Sequence, residues 1–532
     1  MIREFDKLGA EPFDLLVIGG GIYGAWVAYD AALRDLRVAL VERSDWAAGT
    51  SSASSKLIHG GLRYLEQYRF GLVRKTSRER ELLLRLAPHA VRPLRFVFPL
   101  YRHGRVGRRR LGLGLWAYDR LAGTRRVSER HAFVSRDDLR ATHPFLERQG
   151  LTGGFTFFDS RMDDSRIVLE LVDGAFGAGA VVANRARAVE LLEKGGQVRG
   201  ARVEDGESGR TTEVRASMVA NCAGAWAPAL TRTADGAGRL PVRLSRGTHL
   251  VMPGLPSSDG LILPSRAHGG IVFLIPWYGR TLVGTTDTGH DGDPDRVAAD
   301  PADVAYLLEQ ANRALEGDPW TESEILGCFW GLRTLPRTKG RSTSAVSREL
   351  LVNEPLRNLI VPVGGKYSSA RADAAGIVDR VCDRLSRGAF GRPTEREPFP
   401  WAPRKPLRAW SAETLARGLE LGLDEETVTA WQWRYGSRIS HLFGRLAEQP
   451  GLAARIDPGL SFREAELVHA VEHEMARGLE DVLRRRLPLL ILTRLSRETL
   501  ERAARRVGAE LDWSDARRDA EIAAAQPAVI AS

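Results

Sequence analysis

The chain has 532 residues, of which 43% are hydrophobic and 27% charged, and its formal net charge is +10. This length is too great for one hydrophobic core, so two or three domains are expected. No apolar run approaches the ~18 residues that span a bilayer, and acidic residues interrupt the N-terminal segment, which excludes an integral membrane protein and a secretion signal.

The cysteines indicate the redox compartment of the protein, and the basic charge indicates the kind of partner that it binds. Cys222, Cys328 and Cys382 form neither a CxxC pair nor a zinc pattern, so we expect a reducing compartment, buried free thiols and no metal site. An isoelectric point near 9.7 favours an anionic partner such as a phosphorylated substrate or anionic lipid. The basic residues form no nucleic-acid motif, and we predict no nucleic-acid partner.

The first predicted elements form a dinucleotide-binding fingerprint. Asp14 to Ile18 reads as a buried strand, Ile22 to Asp35 as a helix and Arg37 to Val41 as a second strand that ends at Glu42. The turn between the first strand and the helix has the pattern G-x-G-x-x-G, filled by Gly19, Gly21 and Gly24. Such glycines bring the backbone close to a diphosphate at the helix N-terminus, and the acidic residue accepts hydrogen bonds from a ribose. The motif alone does not separate FAD from NAD.

The stretch Thr50 to Tyr68, TSSASSKLIHGGLRYLEQY, combines small hydroxyl residues with basic residues. Small side chains predict that the backbone lies close to a ligand, and basic side chains predict that this ligand is anionic.

Two later strands also end at glycine turns. Ser217 to Ala220 runs into NCAGAW, which includes Ala223 and Gly224, and Leu359 to Val363 runs into Gly364, Gly365 and Lys366 before a helix at Ser368 to Leu385. Three such turns far apart in the sequence predict that one long ligand is lined from several sides. FAD in a discontinuous domain fits this arrangement better than NAD in a compact unit.

The middle and the end of the chain differ in character from these segments. Leu261 to Asp287 reads as strands joined by glycine turns, which predicts an antiparallel sheet. Beyond the proline-containing FPWAPRKP the sequence turns helical, and residues after about 515 are alanine-rich and expected to fray. Helices are predicted at Glu413 to Leu421, Glu425 to Tyr435, Phe462 to Arg486 and Arg497 to Leu511.

These elements predict an α/β (α+β) chain with three parts. A discontinuous Rossmann-like FAD-binding domain takes residues 1–88, 151–230 and 340–390, and an antiparallel-sheet substrate or cap domain takes residues 89–150 and 231–339. A C-terminal helical domain takes residues 391–532.

Several of these motifs together resemble the FAD-dependent glycerol-3-phosphate dehydrogenases. They are TSSASSKLIHGGLRYLE, GGGIYG, GTHLVMP, IPWYGRTLVGTTD, GLRTLP and VGGKYSSAR. The resemblance implies oxidation of sn-glycerol 3-phosphate to dihydroxyacetone phosphate, with hydride transfer to flavin N5 and electrons passed to a membrane quinone. It covers residues 12 to about 385 strongly and the helical tail more loosely.

The resemblance also implies roles for individual residues. Ser54, Ser55, Lys56, Leu57 and Gly365 would lie along the flavin. The substrate would face Arg63, Tyr64, His249, Arg333 and Lys366. Arginine grips phosphate with two parallel hydrogen bonds, which favours Arg63 and Arg333 as phosphate ligands. His249 is the preferred general base because the pKa of histidine, ~6.5, suits proton transfer near neutrality, and Lys366 with a lowered pKa is the rival.

The sequence departs from the family pattern near the substrate end. Ala370 replaces a tyrosine in the GGK motif, Thr334 replaces a proline in the GLR motif, and the following PRTKGRSTSAVSREL is basic where the family is acidic. The substrate therefore stays open between glycerol 3-phosphate and another polyol phosphate or hydroxy acid. The acceptor stays open between quinone and oxygen, and a flavin-binding protein without dehydrogenase activity is a further alternative.

A membrane contact is predicted from Arg102 to Leu121, where a cationic cluster precedes a stretch of leucine, glycine, tryptophan and tyrosine. The alternative is a solvated basic loop before a core helix. Arg484 to Leu495 is a weaker candidate that is better explained by packing in the helical domain. We expect a cytoplasmic protein bound peripherally to the inner face of an anionic membrane, and a homodimer is left open.

Overall fold

The structure is a computed structural model that describes residues 1–65, 68–102, 104, 106–123, 130–265, 270–337, 349–388 and 391–525; of Arg63 it describes the backbone alone. The strands in these ranges are β1 (Phe13–Ile18), β2 (Val38–Val41), β3 (Leu57–Ile58), β4 (Arg92–Tyr101), β5 (Ala132–Ser135), β6 (Leu151–Arg161), β7 (Val181–Ala183), β8 (Ala186–Lys194), β9 (Gln197–Asp205), β10 (Thr211–Asn221), β11 (Val242–Pro253), β12 (Gly260–Pro264), β13 (Ile271–Trp277), β14 (Arg280–Gly284), β15 (Thr288–His290), β16 (Gly327–Pro336), β17 (Leu350–Leu356) and β18 (Leu359–Gly364).

The α-helices in the same ranges are α1 (Ile22–Ala32), α2 (Phe70–Leu86), α3 (Arg108–Ala122), α4 (Arg136–Thr142), α5 (Asp164–Gly177), α6 (Ala227–Thr231), α7 (Pro301–Asn312), α8 (Ala370–Arg384), α9 (Leu407–Glu420), α10 (Glu425–Tyr435), α11 (Ile439–Glu448), α12 (Glu464–Glu474), α13 (Leu489–Leu492), α14 (Arg497–Glu510) and α15 (Asp515–Ala524). Together with the two sheets, they confirm the predicted mixed α/β fold with a helical C-terminal part.

The first sheet carries the predicted fingerprint. Six of its strands lie in the order β17-β18-β10-β1-β2-β7, in which all pairs are parallel except β17 with β18. Strands β8 and β9 extend the sheet from β10 through antiparallel pairs. Strand β1 is apolar and almost wholly buried, as expected of a parallel strand covered on both faces, and helix α1 packs between α5 and α8. Helix α1 ends at Ala32 rather than Asp35, because Asp35 has a left-handed backbone with φ of +56°.

Because parallel strands end at the same edge of a sheet, the turns after β1, β10 and β18 become neighbours. Strands β10 and β18 are the two next to β1 on one side. The three glycine turns predicted from distant parts of the sequence therefore meet.

The second sheet is largely antiparallel and lies in the order β15-β11-β14-β13-β12-β4-β6-β3, with β16 paired to β11 and β5 paired to β6. One boundary differs from the predicted domains. Residues 151–161 were assigned to the FAD-binding domain, but they form β6, which pairs along its length with β4 in the second sheet. Strand β16 also lies against β18, and this contact joins the two sheets.

The C-terminal helices depart from the prediction in two places. The segment predicted as one helix from Phe462 to Arg486 is broken after α12 by the left-handed backbone of Met475, and a π-helical turn, Asp481–Arg486, follows. The residues after about 515 were expected to fray, but Asp515–Ala524 form α15, whose N-terminus is capped by Ser514. Residues 526–532 lie outside the described residues. The apolar stretch Leu487 to Leu492 is buried, so this second membrane candidate packs inside the protein as favoured.

Buried ion pairs attach the helical part to the first sheet and its helices. Arg166 on α5 donates to both carboxylate oxygens of Glu474, at 2.7 and 2.6 Å. Arg485 and Arg486 both pair with Asp45, which follows β2. Such buried pairs cost desolvation energy, but removing one partner costs more, so they fix how the parts fit together.

No helix in the described ranges is both long enough and apolar enough to cross a membrane.

Candidate functional site

One large cavity, of about 2250 Å³, opens between the two sheets. Its wall includes the β1–α1 turn, most of the stretch from Ala48 to Tyr68, the turns after β10 and β18, and residues of β11 and β16. Sites for drug-sized ligands occupy roughly 300–1,000 Å³. This cavity therefore has room for a dinucleotide together with a small substrate.

Glycines bring the backbone to one end of this cavity. Gly19 has a φ of +107°, and a Cβ there would lie 2.7 Å from the carbonyl oxygen of Cys222. A Cβ on Gly24 would lie 1.8 Å from the carbonyl oxygen of Gly19, so this third glycine lets α1 pack against the turn. Gly19 and Gly21 line the cavity, and the positive N-terminus of α1 begins directly after them.

Glu42 lies at the same end. Its carboxylate accepts hydrogen bonds from the backbone N–H of Gly20, at 2.7 Å, and of Ser44, at 2.9 Å. Burial raises the pKa of Glu42 from its ordinary value, although these two hydrogen bonds oppose the shift. The carboxylate faces the cavity in the position predicted for a ribose ligand.

Most of the described residues of the Thr50 to Tyr68 stretch lie along the cavity wall, but Lys56 does not. Ser54, Ser55 and Leu57 line the cavity. The predicted place of Lys56 along the flavin is not what the structure shows, because its buried ammonium donates to Asp164, at 2.6 Å, and to the carbonyl oxygen of Ser52, at 2.7 Å. The Lys56 side chain thus anchors the Thr50 to Tyr68 stretch to Asp164 and does not line the cavity.

Tyr64 and Lys366 meet in the wall of the cavity. The Lys366 Nζ lies 3.3 Å from the centroid of the Tyr64 ring, and both residues line the cavity. The ring face attracts the ammonium and holds it at the wall. The side chain of Arg63 lies outside the described residues, and its predicted role stays a prediction.

His249 on β11 is buried beside the serines. Its Nε2 lies 2.8 Å from Ser55 Oγ, and its ring stacks on Phe329 with centroids 4.8 Å apart. Nδ1 is buried and has no hydrogen-bond partner in the described part of the chain. Burial, followed by the charges of Arg333 and Lys56, lowers the pKa of His249 well below its ordinary value of 6.5. The imidazole is therefore neutral near pH 7.

Arg333 on β16 lies on the same cavity wall as His249. Its guanidinium donates to the carbonyl oxygen of Thr286, at 3.1 Å, and to the hydroxyl of Thr285, at 2.9 Å, and it lies 3.7 Å from Asp287. These contacts fix the orientation of a planar cationic group that faces the cavity.

The turns after β10 and β18 complete the wall with Ala223, Gly224 and Gly365. Gly365 has a φ of +82°, and a Cβ there would lie 1.8 Å from the hydroxyl of Tyr23. Tyr23 itself accepts a hydrogen bond from the backbone N–H of Lys366, at 3.0 Å, and so ties the third turn to the first.

Several wall residues were missed by the sequence analysis. Ser51 Oγ accepts from the backbone N–H of Ile22, at 2.8 Å, and so binds the start of α1. Tyr23 occupies a variable position of the glycine fingerprint, where a hydroxyl pointing to a distant turn gives no local signal. Thr285 directly follows β14, and Phe329 lies on β16 and stacks on His249 without lining the wall; only the fold defines how these two strands pair with β11.

The arrangement fits FAD on its own features. The glycine-lined N-terminus of α1 suits a diphosphate, and Glu42 suits a ribose. The turns after β10 and β18 leave backbone rather than side chains facing the middle of the cavity. Lys366, Arg333 and His249 line the same cavity and give it cationic and neutral polar groups.

Comparisons with known proteins agree with this assignment. The family described as FAD dependent oxidoreductase matches residues 14–395, and the C-terminal domain of alpha-glycerophosphate oxidase matches residues 401–518.

Individual relatives cover nearly the whole chain. The chain is 37% identical over 519 residues to glycerol-3-phosphate dehydrogenase 2 of Mycobacterium tuberculosis, covering 97% of this chain and 88% of the relative. It is 31% identical over 496 residues to the aerobic glycerol-3-phosphate dehydrogenase of Staphylococcus aureus, covering 91% and 88%. The solved structure of glycerol-3-phosphate dehydrogenase from Bacillus halodurans complexed with FAD matches with a TM-score of 0.80 and 25% identity, covering 97% of this chain and 94% of that one.

Proposed function

The chain belongs to the family of FAD-dependent glycerol-3-phosphate dehydrogenases, and on that premise we propose that it oxidises sn-glycerol 3-phosphate to dihydroxyacetone phosphate. One observation carries the proposal: a neutral histidine, an oriented arginine and a lysine face one cavity, next to a cofactor site of the FAD type. FAD, when bound, supplies the acceptor for the two electrons that leave with the C2 hydrogen of the substrate.

The phosphate of the substrate is bound by Arg333 in this proposal, with Arg63 as the second predicted ligand. A dianion in a partly dry cleft needs charge-assisted donors, and a guanidinium offers two in one plane. The contacts of Arg333 with Thr285 and Thr286 hold that plane in a fixed direction before the substrate arrives. This preorganisation lowers the entropic cost of binding.

His249 takes the hydroxyl proton in this proposal, and Lys366 remains the alternative base. A neutral imidazole beside Ser55 is ready to accept the proton, but the resulting cation would lie near the positive charges of Arg333 and Lys56. A bound phosphate dianion offsets those charges. The phosphate would therefore assist the chemical step as well as binding, and glycerol would be a poor substrate.

The proposed electron acceptor is a membrane quinone, reached from the cytoplasmic face of an anionic membrane. The support comes from an exposed apolar surface formed by Tyr68, Phe70, Leu113 and Trp116, which are 81%, 49%, 66% and 50% exposed. Tyr68, Phe70 and Leu113 also belong to the wall of the cavity, so this surface lies at its mouth. The exposed Arg108, Arg109 and Arg110 at the start of α3 suit anionic headgroups.

A second candidate function changes only the acceptor. The match of residues 401–518 to the C-terminal domain of alpha-glycerophosphate oxidase favours oxygen as an alternative oxidant. A related polyol phosphate remains the alternative substrate because of Ala370 and Thr334.

The experiment that tests the main proposal is anaerobic mixing of the purified holoenzyme with glycerol 3-phosphate, followed by the flavin absorbance at ~450 nm. We expect rapid bleaching with glycerol 3-phosphate and none with glycerol at the same concentration. Reduced enzyme is then mixed with a soluble quinone analogue or with oxygen, and the faster reoxidation identifies the acceptor. Absence of bleaching by glycerol 3-phosphate would reject the proposed substrate.

A further inference from the structure

Three histidines meet in the helical part, outside the wall of the cavity. His441 lies on α11, and His469 and His473 lie on α12. One ring nitrogen from each lies within 4.8 Å of the other two. The ring centroids are 4.6 Å apart for His441 and His473, 4.8 Å for His469 and His473, and 5.9 Å for His441 and His469. We call these three residues the histidine cluster.

The helices account for this geometry. His469 and His473 are four residues apart, so both side chains project from the same face of α12. Helix α11 packs against that face and adds His441 from the opposite side. His469 is buried, whereas His441 and His473 are half-buried, which leaves a route from solvent. Nδ1 of His441 is buried and lacks a hydrogen-bond partner among the residues the structure describes.

We propose that the histidine cluster binds one divalent transition-metal ion, with Zn²⁺ as the best-fitting probe. Three imidazoles this close cannot all carry a charge, and neutral imidazole is the form that binds metals. Imidazole nitrogen favours zinc and its neighbours in the first transition row, whereas calcium and magnesium require oxygen ligands. Three protein ligands with a fourth position open to water are a common zinc arrangement.

The distances require a small closure of the site. A Zn–N bond of about 2.0–2.1 Å implies nitrogen atoms roughly 3.3 Å apart around a tetrahedral ion. The nitrogens lie within 4.8 Å of one another, so ring rotation has to bring them closer. The half-buried rings of His441 and His473 are the two with room to rotate.

The surroundings of the histidine cluster resemble the outer shell of a metal site. His469 Nε2 lies 3.4 Å from the carboxylate of Glu474, which Arg166 holds on its other side. A carboxylate on one ring nitrogen fixes the tautomer and leaves the other nitrogen for a metal. Glu472 lies 3.8 Å from His473 Nε2 but is ion-paired with Arg445, so the fourth position of the ion is left to water.

Nearby positive charges are themselves neutralised. The Met1 amino group donates to the carbonyl oxygen of His473, at 2.9 Å, and lies 3.5 Å from Asp173. Arg438 also pairs with Asp173, at 2.6 Å. A cation bound by the three imidazoles is therefore not opposed by uncompensated positive charge from these two groups. The bound ion would tie α11 to α12 and stabilise the helical part by mass action.

To test the proposal, the untagged, full-length holoenzyme is first treated with a chelator that removes bound metal. Its affinity for Zn²⁺ and the number of ions bound per chain are then measured by competition with a zinc indicator. We expect one Zn²⁺ per chain. We also expect zinc to raise the apparent unfolding temperature by several degrees. The variants His441→Gln and His473→Gln are each expected to weaken zinc binding at least 10-fold and to remove the thermal shift.

The matched control is His290→Gln, a half-buried histidine on β15 that lies outside the histidine cluster; its zinc affinity should equal that of the wild-type chain. The flavin absorbance of each variant reports whether it has folded, and if one variant fails to fold, the other decides. A wild-type chain that retains no zinc, or zinc binding that is unchanged in a folded cluster variant, would overturn the proposal.

Discussion

Arg333 reaches the cavity from β16 and is oriented by Thr285 and Thr286. We predict that Arg333→Lys lowers kcat/KM for glycerol 3-phosphate about 10²-fold, mainly through KM. Lysine keeps the charge but cannot form the paired hydrogen bonds, and a charge-assisted hydrogen bond contributes about 1.5–3 kcal/mol. Steady-state kinetics with an artificial acceptor measures the change.

The control for this prediction is Arg337→Lys, because Arg337 is exposed and follows the same strand. Its kinetic constants should match those of the wild type. An Arg333→Lys variant with wild-type KM would show that the phosphate binds elsewhere in the cavity.

The lowered pKa of His249 leads to a prediction about how the activity depends on pH. The base must be neutral to accept a proton, and the pKa of His249 lies well below 6.5 because of burial and the charges of Arg333 and Lys56. The activity should therefore persist as pH falls through 6.5. The phosphate of the substrate also gains a proton near pH 6, by analogy with other phosphate monoesters. At low pH, protonation of both the phosphate and His249 should therefore lower kcat/KM of the wild type, so the acid limb of its pH profile should involve two protons.

The variant His249→Asn separates these two ionisations. We expect kcat to fall by about 10²–10⁴-fold, the usual contribution of a general base, and the acid limb to involve one proton instead of two. Stopped-flow flavin reduction across a pH series measures both. If the variant keeps the two-proton limb, the second ionisation belongs to another group, and Lys366 becomes the leading base.

At the scale of single elements, α3 carries the membrane prediction. Leu111, Leu115 and Tyr118 are buried, whereas Leu113 and Trp116 point to solvent beside the exposed arginines. We predict that the double variant Leu113→Ser, Trp116→Ser reduces binding to anionic vesicles at least 10-fold, since burying one large apolar side chain contributes about 1.5–3 kcal/mol. Sedimentation with vesicles across a salt series measures binding.

The matched control exchanges two exposed leucines on α9, Leu407 and Leu419, for serine. This control should bind vesicles like the wild type. Equal loss in both double variants would mean that the apolar contact is not specific to α3, and no binding by the wild type at low salt would remove the membrane proposal.

The ion pair between α5 and α12 gives a prediction about stability. Burial alone would raise the pKa of Glu474, but the Arg166 guanidinium outweighs burial and holds the pKa well below its ordinary value. The resulting stabilisation is present above the unfolded pKa of about 4.3 and is lost as pH falls below it. Glu474→Gln should therefore lower the free energy of unfolding by about 3–5 kcal/mol at pH 7 and by progressively less below pH 4.

Urea unfolding followed by circular dichroism at several pH values measures this dependence. Glu448→Gln is the control because Glu448 is exposed and its pairing with Arg445 lies at the surface, where the loss should be below about 1 kcal/mol. A pH-independent effect of Glu474→Gln would indicate that lost packing, rather than charge, explains the destabilisation.

Local elements were predictable where their signals are local. The glycine fingerprint and the alternation of strand and helix place β1, α1 and β2 within a few residues of the observed bounds, because their hydrophobic periodicity reflects burial on both faces. Lys56 was misplaced because its partner Asp164 is distant in sequence and only the fold brings them together. The break after α12 was missed because Met475 is an ordinary helix former that here adopts a left-handed backbone.

For the whole molecule, the sequence predicted that three glycine turns converge, and the order of strands in the first sheet explains why they do. The sequence could not predict the pairing of β16 with β11, which brings Arg333 and His249 to one wall and stacks Phe329 on His249. Antiparallel register depends on contacts between distant segments, so no local pattern reveals which side chains face the cavity.

The order of strands in the first sheet has a consequence for how the protein is made. The turn that carries Gly365 and Lys366 is translated roughly 17–70 s after the first glycine turn, at about 5–20 residues per second. Until β10 is made, one edge of β1 is open, and until β18 is made, the edge of β10 is open, so each edge in turn is a site for wrong pairing. A nascent chain stalled before Leu359 should stay colourless with added FAD, whereas one released after Leu385 should turn yellow, and chaperone dependence should be greatest between these points.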